Sequence, residues 1–80
     1  MKRVILLKLI HDMREAVDDK EVRQSLSNIA DTVVHTAPEI LDNRWKLIYN
    51  LCTTHLGDNE ACFELYSNAM TKYKAVAQLE

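Results

Sequence analysis

Cys52, His55 and Cys62 are the residues whose types could do chemistry, since two thiols and an imidazole around one tight turn are zinc-ligand types. A closed zinc site needs a fourth ligand, and the C-x₂-H…C spacing supplies none. The thiols also lie five residues to either side of Gly57, which would bring them face to face in an antiparallel hairpin at disulfide geometry. A reducing cytosol argues against that bond, and free cysteine is among the most buried residue types. Two buried free thiols are therefore the expectation, with no metal and no cofactor.

The remaining polar residues form no catalytic constellation. His11, His35 and His55 share no metal or triad spacing. Asp18-Asp19 is a carboxylate pair, but a helix cap accounts for it more simply than acid–base work. The chain has neither a Gly-rich phosphate loop nor a nucleophile with a base and an orienting third group. The sequence reads as that of a protein that is not an enzyme.

Charge narrows the partners. The 80 residues carry a net charge of −2, with six basic and seven acidic side chains in the first half and four and five in the second. Neither half is a basic footprint, so direct nucleic-acid binding is disfavoured. No apolar run approaches the ~18 residues of a membrane span. Met1-Lys2-Arg3 followed by Val4-Ile5-Leu6-Leu7 imitates a signal peptide, but Lys8, His11 and Asp12 interrupt it and no small-residue cleavage site follows. A cytoplasmic protein is expected.

One glycine and one proline leave too little turn chemistry for a β-rich fold. Apolar spacing instead predicts four helices, approximately 3–17, 19–36, 38–56 and 59–78, in a single domain spanning 1–80. In the first, Ile5, Leu6, Leu9, Ile10, Met13, Ala16 and Val17 share an arc, and Val4 and Leu7 make a smaller second stripe. A strand over Val4–Leu9 is the competing reading. The second helix carries Val22, Leu26, Ile29, Val33 and Ala37, with Asp18 and Glu21 placed as a capping box. Its apolar face turns by about 120° from the first, so the two helices should break at Asp18; no glycine or proline enforces the break, and one long bent helix shared between subunits is the alternative. Thr36 reads as the cap of the third helix, with Pro38 tolerated in its first turn. Gly57 reads as its left-handed end, with Asp58 or Asn59 capping the fourth. In that last helix Cys62, Leu65, Tyr66, Ala69, Tyr73, Val76 and Ala77 form the arc, with Phe63 and Met70 at its edge. So short a loop makes helices three and four antiparallel neighbours.

The third stripe is too wide for one small core. Ile40, Leu41, Trp45, Leu47, Ile48, Tyr49, Leu51, Cys52 and Leu56 cover roughly 200° of helix surface, about twice what a core-facing helix needs. Surplus apolar surface on a small protein usually means a partner. Arg44 and His55 fall inside this arc. Arg44 reads equally as an edge residue with its charge in water and as an anchor paired with a carboxylate; Trp45 reads first as core and second as an interface anchor. The expected interface is Val4, Leu7, Arg44, Trp45, Ile48, Tyr49, Leu51 and His55.

The fold expected is all-α, a four-helix bundle-like domain completed by self-association as a homodimer or a tetramer of dimers. A protein-binding regulator is the function this surface suggests, acting on a target protein whose identity the sequence does not give. In size and lack of chemical motifs the chain resembles the small regulators of phages and mobile elements: antirepressors, anti-defence proteins and immunity proteins. That resemblance implies stoichiometric sequestration of a repressor, nuclease or polymerase. The alternatives are a helix-turn-helix DNA-binding regulator or antitoxin, with Asn43, Arg44 and Lys46 on a recognition helix, and a structural subunit of a larger assembly.

Overall fold

A computed structural model describes residues 2–55, 57 and 59–79. Four α-helices follow in chain order: α1 (Lys2–Ala16), α2 (Lys20–His35), α3 (Asn43–His55) and α4 (Glu60–Leu79), with a 3₁₀ turn (Pro38–Ile40) before α3. No strand occurs among the described residues, and Val4–Leu9 is helical. The architecture is the all-α bundle that the apolar periodicity predicts. Its radius of gyration of 11.9 Å compares with about 11.6 Å for a compact chain of this length. No helix among the described residues is long and apolar enough to cross a membrane.

The core is built on α1, whose Leu6, Leu9, Ile10 and Met13 are all buried. These residues recur at three and four, so they stack on one face and meet α2 and α4 together. Val22, Leu26 and Val33 answer from α2, and Trp45, Ile48, Leu51 and Cys52 from α3.

The break between α1 and α2 is real, one residue later than its cap was expected. Asp19, not Asp18, is the N-cap, its Oδ1 accepting from the amides of Glu21 (2.8 Å) and Val22 (3.3 Å). Val17 decides the register, because its side chain is buried in the segment between the helices while Asp18 and Asp19 face solvent.

The start of α3 also differs from expectation. Thr36 does not open the third helix; it closes the second, its hydroxyl donating to the carbonyl of Thr32. Arg3 reaches across from α1 and donates to the carbonyls of Val33 (3.2 Å) and Thr36 (2.5 Å). Arg44 Nε donates to Thr36 Oγ1 at 3.2 Å. Two guanidinium groups thus meet the electronegative end of α2, where cations stabilise the helix. The chain then spends residues 38–42 on the 3₁₀ turn and a turn pinned by buried Leu41, and α3 begins only at Asn43.

At the other end of α3, Gly57 sits in the turn between α3 and α4. Asn59 caps α4, its Oδ1 accepting from the Cys62 amide at 3.2 Å. Leu56 and Asp58, named in the sequence reading, lie outside the described residues.

Candidate functional site

Part of the surplus apolar surface lines a groove between α3 and α4, while Ile40 and Leu47 of the same stripe are exposed outside it. Asp42, Trp45, Lys46, Tyr49 and Asn50 form one wall, at the spacing 0, 3, 4, 7 and 8 of a single helix face. Tyr66, Met70, Tyr73, Lys74 and Ala77 form the other, at 0, 4, 7, 8 and 11. The volume of the groove is about 520 Å³. The groove exists because α4 packs chiefly on α1 and touches α3 far less.

Aromatic rings bridge the two walls. Trp45 meets Tyr66 at 5.3 Å and Tyr73 at 5.0 Å, both nearly perpendicular, and Tyr49 meets Tyr66 at 5.9 Å. Edge-to-face geometry is the favourable one, because the positive ring edge faces the negative ring face. One end is tied by Tyr73, whose hydroxyl donates to Asp42 Oδ1 at 2.6 Å, and Lys2 Nζ sits 5.8 Å from the centre of that ring. Trp45 itself is only 4 % exposed, and its indole N–H has no hydrogen-bond partner among the described residues. Burial raises the phenol pKa of Tyr66, with nearby Cys52 and Tyr49 adding to the effect, so Tyr66 keeps its proton at neutral pH.

The cysteines lie deeper along the same helix pair. The contacts Tyr49–Tyr66, Trp45–Tyr73 and Asp42–Tyr73 define an antiparallel register that sets Cys52 opposite Cys62. Both thiols are free and buried. Burial and the neighbouring Cys62 push Cys52 up to about 11, and burial raises Cys62 as well. Such thiols stay protonated and are poor nucleophiles and poor metal ligands at neutral pH. His11, His35 and His55 are all exposed, and no three His, Cys, Asp or Glu side chains gather as a metal-binding group among the described residues.

The residues singled out as an interface separate into two sets. Trp45, Ile48 and Leu51 are buried in this single chain, Ile48 completely, because α3 spends one part of its wide stripe on α2 and another on α4. Leu7 is half-buried against the core, and half-buried Arg44 is committed to Thr36. Val4, Tyr49 and His55 are exposed, and of these only Tyr49 belongs to the groove. Sequence reasoning missed the α4 wall. Its signal lay in the length of the α4 apolar arc, of which only Cys62 and Tyr73 are buried while Leu65, Tyr66, Ala69, Met70 and Val76 stay half-covered. Comparison of the chain with family models, curated proteins and solved structures finds no match.

Proposed function

We propose that this chain is a small, non-enzymatic, cytoplasmic protein-binding regulator that sequesters or disrupts a target protein, in the manner of an antirepressor or anti-defence protein. The observation that supports this reading is the groove: an apolar, aromatic-rich floor open to solvent between two helices, with charged residues at its rim. Binding interfaces have this composition, with aromatic residues enriched at the centre and charge displaced outward. Tyr49, 48 % exposed on the α3 wall, is the anchor available to a partner without disturbing the core.

The test is affinity capture from lysate of the native host, with the wild-type chain beside Tyr49→Glu, both checked for helicity. One protein recovered in near-stoichiometric amount by the wild type and lost with the variant supports the reading. An aromatic anchor is worth about 2 kcal/mol, close to thirtyfold in affinity. Capture of nucleic acid instead, released steeply by salt, would replace the reading with DNA binding. Self-association alone would assign the chain to a larger assembly as a structural subunit.

A further inference from the structure

We infer that the occupant of the α3–α4 groove is an acidic amphipathic helix of a partner protein, its apolar residues seated on Tyr49, Tyr66 and Met70 beside Trp45 and its carboxylates facing Lys46 and Lys74. This inference rests on the protein-binding reading above and gives that partner its chemistry.

Length is the first argument. The α3 wall runs from Asp42 to Asn50 and the α4 wall from Tyr66 to Ala77, which at 1.5 Å per residue is about 12–16 Å. Two to three turns of helix present anchors at i, i+3 or i+4, and i+7 over about 10 Å, so the trough matches such a helix laid along it. Its volume of about 520 Å³ lies within the range of ligand-binding clefts.

Charge is the second. The chain is acidic overall, yet the rim is not. Lys46 and Lys74 stand on opposite walls, and neither makes an ion pair or hydrogen bond with a described residue. The one carboxylate of the groove, Asp42, is already engaged by the Tyr73 hydroxyl. Two ammonium groups with no partner among the described residues, set over an apolar floor, select an acidic partner, and a basic one would meet like charge.

Trp45, the sole tryptophan, lies in the groove and reports its occupation. The experiment titrates the full chain with a capped peptide of about sixteen residues. The peptide lacks tryptophan, carries Leu or Phe at i, i+4 and i+7, and has Glu along both flanks. A counterpart with Lys for Glu is the comparison, and Lys46→Glu/Lys74→Glu is the variant, both substitutions being on exposed positions. We expect a saturable shift of Trp45 emission, about tenfold tighter for the acidic peptide at low salt, and inversion of that preference in the double variant.

Equal binding of both peptides, or preference for the basic one, overturns the acidic assignment and leaves the protein-binding reading standing. Failure of both peptides to bind overturns the helix-in-groove assignment, and the protein-binding reading then stands or falls on capture by the wild type and its loss with Tyr49→Glu. A shift produced instead by a simple aryl carboxylate, with the same dependence on the two lysines, would give the groove to a small aromatic acid and likewise overturn the inference.

Discussion

Replacing Tyr73 by Phe removes one oxygen and should open the far end of the groove. That hydroxyl donates to Asp42 at 2.6 Å, within the 2.5–2.7 Å typical of a hydroxyl bonded to a carboxylate. Bonds of this kind contribute roughly 1.5–3 kcal/mol. Tyr73 is 4 % exposed, but Asp42 faces solvent and recovers water once the donor is gone, which places the cost at the lower end. We expect a loss of about 1.5 kcal/mol in urea unfolding, and a fall in Tm of about 6–12 °C for a domain of this size. The ring remains in Phe, so its packing on Trp45 should survive. The decisive assay is a double-mutant cycle with Asp42→Ala, which removes the acceptor outright and separates the pair from everything else each side chain touches. A coupling near 1 kcal/mol supports the tether. Strict additivity of the two substitutions, or a Tyr73→Phe variant as stable as the wild type, would refute it.

Three further outcomes test the placement of individual residues. Asp19→Ala should cost about 1 kcal/mol through loss of the α2 cap, while Asp18→Ala should stay within about 0.5 kcal/mol; the reverse order in chemical denaturation would return the cap to Asp18. Ile48→Ala should cost about 3 kcal/mol, since its side chain is fully buried, whereas half-exposed Tyr49→Ala should cost less than about 1 kcal/mol, both read from urea midpoints. The buried thiols give a pH signature: Cys52 is raised from 9.0 to about 11, so the folded state holds a proton that the unfolded state releases first. The stability this contributes is intact below pH 9 and is lost between about pH 9 and 11, and Cys52→Ala should flatten that part of the stability profile. An unchanged slope in the variant would exclude Cys52 as its source.

Helix positions were readable because apolar residues recur at three and four wherever one face of a helix meets the core. Boundaries were readable only where a single local signal existed. Asp18 and Asp19 are chemically equivalent as caps, and burial of Val17, a tertiary event, chose between them. Thr36 misled for a related reason: its hydroxyl can cap the start of a following helix or bond back into the preceding one. Arg3, thirty-three residues away, occupies the adjoining carbonyls and favours the second use. The wide stripe on α3 was correctly seen as surplus for a single contact, but periodicity does not say which neighbour covers which part. Ile48 and Leu51 went to the core and Tyr49 to the groove on the strength of packing partners from α2 and α4. The pairing of Lys46 with Lys74 carried no sequence signal, because only the antiparallel fold of α3 on α4 brings them to one rim.

Trp45 holds both roles at once, and this decides which positions can inform on binding. Its indole is buried and meets two rings of α4, so truncating it removes core packing and groove floor together. A Trp45→Ala variant that binds nothing is then uninformative, since loss of fold and loss of site give one result. Arg44 has the same defect through its bond to Thr36, which couples it to the end of α2. Tyr49, Lys46 and Lys74 escape it. Each stands at the groove with its outer part in solvent, so its replacement changes what the groove offers while the buried side chains of α1, α2 and α3 keep their partners. Binding that responds to these three at constant helicity belongs to the groove; binding that responds only to Trp45 or Arg44 belongs to the fold.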